Sequence, residues 1–227
     1  MPWEVADVDE DHLVRWIERS VADRTHILAQ GYQGQVYLFQ HAHQRLVIKA
    51  ASGNGLLRWL RTRMLLRESR VYARLDGFPG CPRCYGLVRG RYLVLEYIDG
   101  IPLRSAHIAD RARYYDSLHA LIVQLHDRGI AHSDMKRKDN LLVVAGSRPC
   151  LIDFGAAVVR KPGFAPFNHF LFRTAARFDY NAWIKLKYNN RLDEVSAADQ
   201  GYYRRTWIEK AARRTKRVYK RIKLLFK

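Results

Sequence analysis

Cysteine occurs only three times in the 227 residues, as Cys81, Cys84 and Cys150. That is too few for a disulfide framework and fits a reducing compartment. Cys81-Pro-Arg-Cys84 has the spacing of half a zinc site, but no second Cys/His pair follows at a suitable distance. A structural pair of thiols is the expectation, with a zinc half-site as the alternative. Long apolar runs are also missing, and none comes near the roughly 18 residues that a membrane span needs. The start of the chain is acidic and has no apolar stretch, so no secretory signal is expected and the protein is placed in the cytosol. Repeats and low-complexity linkers are absent. Acids are scarce as well: 22 Asp and Glu stand against 40 Lys and Arg, a formal charge of +18. Such a charge leaves the fold open but narrows the partners to nucleic acid, an anionic membrane or phosphorylated ligands.

Apolar residues are plentiful, at 48% hydrophobic and 12% aromatic, so a sizeable core can be buried and disorder is not expected. At this length the chain holds one ordinary domain or two small lobes around a shared cleft. Charge is spread unevenly. The first thirty residues hold Glu4, Asp7, Asp9, Glu10, Asp11, Glu18 and Asp23, whereas residues 203–227 hold a single acid, Glu209, among many Lys and Arg.

Leu13, Trp16, Ile17 and Val21 have helical spacing, which predicts a short amphipathic helix in an acidic extension over residues 1–26. From His26 the pattern alternates. Strands are expected over Thr25–Ala29, which leads into Gly31-Tyr-Gln-Gly34, over Val36–Phe39 and over Leu46–Ala50, with a polar turn from His41 to Gln44. Leu57, Leu60, Met64, Leu65, Val71 and Leu75 predict a helix over 56–75 that ends near Gly77. Two further strands, Tyr85–Val88 and Tyr92–Tyr97, are joined by Arg89-Gly-Arg91. Beyond Gly100 a helical stripe runs through Tyr114, Leu118, Leu121, Ile122 and Leu125 and stops at Gly129. A hairpin follows, with strands Leu141–Val144 and Cys150–Ile152.

Several residues in this order carry chemistry. Gly31-x-x-Gly34-x-Val36 lies between two strands, where glycine lets backbone amides approach a phosphate; a plain hairpin turn explains it equally well. Lys49 lies inside an apolar strand and needs a partner if buried. Glu68 on the following helix is the candidate, and an edge-strand lysine facing solvent is the alternative. Then come His132-Ser-Asp134-Met-Lys136-Arg-Lys-Asp139-Asn140 and Leu151-Ile-Asp153-Phe-Gly155. An Asn opening the hairpin and an Asp closing it offer oxygen ligands suited to Mg²⁺ on nucleotide phosphates. Asp134 is then free to accept a hydroxyl proton.

This set resembles the protein-kinase superfamily over about residues 27–160, with five motifs in the family's order. The resemblance implies an α+β fold, bilobal and protein-kinase-like, with a β-rich N-lobe (27–98) and a reduced helical C-lobe (99–202). It implies ATP and Mg²⁺ as cofactors. Gly31 and Gly34 resemble the second and third glycines of the phosphate loop, with Ala29 in place of the first. Lys49 would hold the α- and β-phosphates, positioned by Glu68. Val36, Val47 and Leu142 would sandwich adenine, Leu95 looks like the gatekeeper, and the backbones of Glu96 and Ile98 would bond the base. Asp134 resembles the catalytic base, Lys136 would steady the transferred phosphoryl, and Asn140 and Asp153 would hold the metal.

The departures are informative. The usual gap after the catalytic Asp ends at Asp139 rather than Asn140, so Asp139 stays open as the ligand. Asn140 is preferred because Leu-Leu-Val follows it and Asp153 lies thirteen residues on. Ser133 stands where regulated kinases have Arg, which predicts no switching by activation-loop phosphorylation. Ala-Pro-Glu is missing, since Ala165-Pro-Phe167 lacks the acid. Asp179 is a candidate brace for the catalytic loop or, equally, a surface acid.

So short a C-lobe resembles the bacterial lipopolysaccharide-core (Kdo and heptose) kinases and the atypical RIO-like and Bud32-like kinases. The first group implies a sugar hydroxyl on a lipid-linked acceptor at the inner face of the cytoplasmic membrane. Residues 203–227 have the spacing of a basic amphipathic helix suited to an anionic membrane surface. Packing on the kinase body and nucleic-acid binding are the alternatives. Leu56-Leu-Arg-Trp-Leu-Arg-Thr-Arg-Met-Leu-Leu66 is a second basic-apolar stretch. The leading expectation is a membrane-peripheral sugar kinase, ahead of an RNA- or ribosome-associated Ser/Thr kinase. Antibiotic phosphotransferases rank low because a +18 chain would repel cationic aminoglycosides. A pseudokinase ranks low because Lys49, Glu68, Asp134, Asn140 and Asp153 are all present.

Overall fold

Asp9 accepts a hydrogen bond from the His12 amide and so caps the first helix, which also has Glu10 and Asp11 in its opening turn. The computed structural model describes residues 8–31, 34–41 and 43–204. Helix α1 (Glu10–Asp23) leads into β1 (Ile27–Gly31), β2 (Gly34–His41) and β3 (Gln44–Ala50). Next come α2 (Gly55–Arg74), β4 (Cys84–Val88), β5 (Tyr92–Glu96) and the short β6 (Gly100–Pro102). The chain continues with α3 (Arg111–Asp127), β7 (Ile130–Ala131), the hairpin β8 (Leu141–Val144) and β9 (Arg148–Leu151), β10 (Val158–Val159), α4 (Pro166–Lys187) and α5 (Ala197–Gln200). The fold is α+β, with a β-rich region followed by a helical one, as the sequence leads one to expect.

Two compact units result. One runs to residue 110 and takes in residues 138–157; the other comprises 111–137 and the chain from 158 onward. Packing therefore does not divide the chain at residue 98, because the β8–β9 hairpin joins the unit that contains the five-stranded sheet. Its link is β6, a strand that the apolar pattern does not reveal: β6 pairs with β8, and the Leu103 amide donates to the Leu141 carbonyl at 2.8 Å.

In the first unit an antiparallel sheet has the order β1-β2-β3-β5-β4. One face is core: Tyr37, Phe39, Leu46, Ile48 and Ala50 are buried against Leu13, Val14 and Ile17 of α1. Trp16 packs against this cluster, but Val21 is exposed, and Ser20 takes the buried position that the helical stripe assigned to it. The acids of α1 have local work to do. Asp11 pairs with Arg89 at 2.6 Å and Glu18 with Arg91 at 2.9 Å, both exposed pairs worth at most about 1 kcal/mol each.

In the second unit α3 packs on α4, and the Trp183 indole N–H donates to the Tyr115 carbonyl at 2.7 Å, satisfying a fully buried donor. Strands β7 and β10 form a two-residue ladder. Residues 1–7 of the acidic extension and residues 205–227, which hold nearly all of the basic amphipathic segment, lie outside the described residues.

Cys81, Cys84 and Cys150 are free thiols, and among the described residues no three His, Cys, Asp or Glu side chains are grouped to hold a metal ion. Burial pushes the Cys150 thiol up to about 12. Its thiolate fraction at pH 8 is then on the order of 10⁻⁴. A thiol reagent at pH 8 should label Cys81 in the native protein and Cys150 only after unfolding. Peptide mass spectrometry of native and denatured samples checks this, and equal native rates for the two would contradict the burial.

Candidate active site

The two faces of β2 and β3 differ. Val36 pairs across the ladder with Lys49, and Leu38 with Val47, so all four share one face. That face is half-buried, whereas the alternate residues are fully buried under α1. Leu95 and Leu93 on β5 stand opposite Val47 and Lys49. At the end of β5 the Glu96 amide is taken by the Arg83 carbonyl and the Tyr97 amide by the Arg45 carbonyl. The Ile98 amide has no partner among the described residues, which leaves it available to a ligand. Leu142 is buried on β8 of the same unit. Gly34 is required for a reason that spacing alone does not show. Its φ is 146°, and a Cβ there would collide with the Ala50 carbonyl oxygen and stand 3.1 Å from the Ser52 nitrogen. Gly31 pairs with Gly34 across the β1–β2 ladder.

Lys49 projects from this face into two carboxylates. Its ammonium donates to Glu68 Oε1 at 2.6 Å and to Asp153 Oδ1 at 2.9 Å. Burial works to lower the Lys49 pKa, but the two carboxylates outweigh it and hold the ammonium above its usual range. The Glu68 side chain is fully buried, whereas Asp153 keeps 35% exposure. Helix α2 presents Leu65, Glu68, Val71 and Tyr72 on one buried stripe. Through that stripe it holds the segment after β9: the Tyr72 ring meets Phe154 edge-on at 5.1 Å, and Arg67 donates to the Ala157 carbonyl. The edge-strand reading of Lys49 is thereby excluded. The expected apolar stripe is wrong in the first turns of α2, where Leu57 and Leu60 are exposed.

Asn140 ends a 3₁₀ turn, Lys138–Asn140, and is buried; its neighbour Asp139 turns outward and pairs with Arg104. The Ile152 amide donates to the Asn140 carbonyl at 2.9 Å, which brings the two ends of the hairpin, and so Asn140 and Asp153, side by side. Asp153 has φ 66°, a left-handed backbone that costs a non-glycine residue about 1–3 kcal/mol.

In the second unit the segment His132-Ser133-Asp134 follows β7. Ser133 also has a left-handed backbone, φ 61°. Asp179 on α4 holds it there. Fully buried, its carboxylate accepts from the His132 amide at 2.8 Å, from the Ser133 amide at 2.7 Å and from His126 Nε2 at 3.0 Å. Three donors on a buried carboxylate describe a brace, not a surface acid. Asp134 is half-exposed, with Arg137 Nη1 at 3.9 Å, and Lys136 is exposed. Removing the carboxylate leaves two buried amides unpaired, at about 1–3 kcal/mol each. Asp179→Ala should lower unfolding stability by about 3 kcal/mol, against under about 0.5 for the exposed Asp193→Ala. Urea titration of both variants checks it, and equal stabilities would rule out the brace.

Compared with known proteins, residues 25–138, half of the chain, match the phosphotransferase enzyme family APH. The serine/threonine-protein kinase PknD of Chlamydia trachomatis is 26% identical over 161 residues, covering 59% of this chain and 17% of that protein. Serine/threonine-protein kinase C of Synechocystis sp. is 27% identical over 146 residues, covering 56% of this chain and 27% of that protein. The chain thus spans well under a third of the length of either kinase. Both the matched stretch and these relatives speak for the broad kinase-like superfamily rather than for the Kdo/heptose or RIO/Bud32 groups in particular. With its lysine, carboxylates and braced His-x-Asp loop in place, the chain belongs to the phosphotransferase enzyme family.

Proposed function

We propose that this chain transfers the γ-phosphoryl group of ATP to an acceptor hydroxyl. The observation that carries this reading is Lys49 held between Glu68 and Asp153 on the half-open face of the sheet. The ammonium would bind the α- and β-phosphates, with Val36, Val47, Leu95 and Leu142 against the base and the Glu96 and Ile98 backbones bonding its edge. Gly31 and Gly34 would bring the β1–β2 turn over the phosphates. Asn140 and Asp153 are oxygen donors drawn together by the Ile152–Asn140 bond, a set that fits Mg²⁺ sharing its other positions with phosphate and water. When bound, the ion would neutralise charge on the transferring phosphates. Asp134 would take the hydroxyl proton as the acceptor oxygen bonds the γ-phosphorus and the bond to the ADP oxygen breaks; Lys136 would steady the moving group.

As acceptor we propose a sugar hydroxyl of a lipopolysaccharide core, Kdo or heptose, with the protein peripheral on the inner membrane face through basic residues 203–227. The charge of +18 supports this. Among the described residues no helix is long and apolar enough to cross a membrane. A second reading, a serine/threonine protein kinase, is supported by the similarity to the two serine/threonine-protein kinases above. ATP consumption stimulated by purified core lipid, but not by a casein-like protein, is the expected result; the reverse would select the protein-kinase reading.

Asp134→Asn should cut turnover to below about a tenth while leaving ATP affinity nearly intact, because the carboxylate acts at the acceptor. Turnover and nucleotide binding measured together check it. Asn140→Ala should raise the Mg²⁺ requirement more than Asp139→Ala does, since Asp139 is engaged outward with Arg104. Rate measured against Mg²⁺ concentration decides, and the opposite order would move the ligand to Asp139.

A further inference from the structure

Only the second half of α2 is buried. In its first two turns Leu56, Leu57, Trp59 and Leu60 have 72%, 48%, 55% and 46% of their surface exposed. On a helix these positions fall within one side, so they form a continuous apolar surface rather than scattered residues. The Arg63 guanidinium lies 5.5 Å from the centre of the Trp59 ring.

Beside this surface, and sharing Trp59 with it, is a cavity of about 820 Å³ in the first unit. Its walls carry Arg24, Arg58, Arg89 and Arg91, and no carboxylate lines it. Arg89 and Arg91 are balanced by the acids of α1, but Arg24 and Arg58 have no carboxylate partner among the described residues. The segment Gly53-Asn54-Gly55 that starts α2 also lines the cavity. Asn54 makes no side-chain cap, so the first amides of a twenty-residue helix add positive potential there. A Cβ on Gly55 would meet nothing within 4 Å, so this approach is open.

We propose that the first turns of α2 and the arginine-lined cavity form a docking site for an anionic phospholipid surface. The cavity takes a headgroup phosphate and the leucines and Trp59 enter the acyl boundary. Charge complementarity selects the phosphate, and the exposed leucines select a lipid over a free anion or a nucleic acid, neither of which would cover them. The site lies away from the Lys49 face, since Tyr37 and Ala50, which line the cavity, alternate with Val36 and Lys49 along their strands. The inference shares only its partner with the membrane reading above and needs no catalysis.

The test uses the full chain and vesicles of phosphatidylglycerol with phosphatidylcholine, compared with phosphatidylcholine alone. Arg24→Gln/Arg58→Gln should weaken partitioning onto anionic vesicles at least tenfold, at about fivefold per arginine. Leu56→Ser/Leu60→Ser should weaken it by a similar factor while keeping the salt dependence, which the arginine variant lowers. Both variants should keep the wild-type melting temperature, and millimolar glycerol 1-phosphate should compete with the wild type. If the full chain binds vesicles and both variants bind equally well, the site is overturned and attachment lies elsewhere in the chain. A failure of the full chain to bind anionic vesicles overturns this site and the membrane reading together. The site is also overturned if the leucine variant melts more than about 5 °C lower, which would mean that the leucines pack on the protein itself. Loss of poly(U) binding in place of vesicle binding would assign the surface to nucleic acid instead.

Discussion

One ammonium group flanked by two carboxylates sets the arrangement of the first unit. Glu68 is fully buried, and a buried carboxylate without a partner costs several kcal/mol, so α2 has to present it where Lys49 can reach. Lys49 in turn is fixed by β3, the central strand of the sheet. Asp153 differs from Glu68 in being one-third exposed, so water can solvate it if the lysine turns toward a phosphate. Of the two carboxylates, Glu68 is thus sealed inside the protein and Asp153 is open to solvent. That difference in burial, rather than residue type, is what separates their parts.

A second constraint of the same kind acts in the other unit. Ser133 sits in a backbone conformation that a non-glycine residue does not choose alone, and the two amides beside the strain are held by the buried Asp179 carboxylate. His126 adds a third donor from α3, so α3, α4 and the loop after β7 share one acceptor group. The donors satisfy the buried carboxylate oxygens, and the oxygens hold the donors in place.

The large positive charge is also partitioned by structure. The acidic first helix pairs with Arg89 and Arg91 of the turn between β4 and β5, and Asp139 is matched by Arg104. Among the described residues, Arg58 in the first turns of α2 and Arg24 on the same cavity wall are left without a carboxylate, beside leucines that are about half or more exposed. Amphipathic helices in globular proteins bury their apolar stripe along their length; α2 does so only where it carries Glu68.

Periodicity and spacing were enough to place the five-stranded sheet, α2, α3 and the β8–β9 hairpin. The helices and β3 show their period in side chains that alternate between core and surface, whereas β5, β8 and β9 show as short apolar runs bounded by turns, so local pattern reports both. The meeting of Lys49 with Glu68 and Asp153 was legible because a lysine inside an apolar strand needs carboxylate partners. Three things were not. Strand β6 is three residues with no alternation to detect, and it exists only because β8 supplies its hydrogen bonds. The outward turn of Asp139 depends on Arg104, thirty-five positions away. Asp179 could be read as a brace or a surface acid until α4 buried it under the amides of His132 and Ser133. Residue type is local and survives in the sequence. Burial, and the choice between two adjacent carboxyl or amide groups, depends on partners that only the folded chain brings within hydrogen-bonding distance.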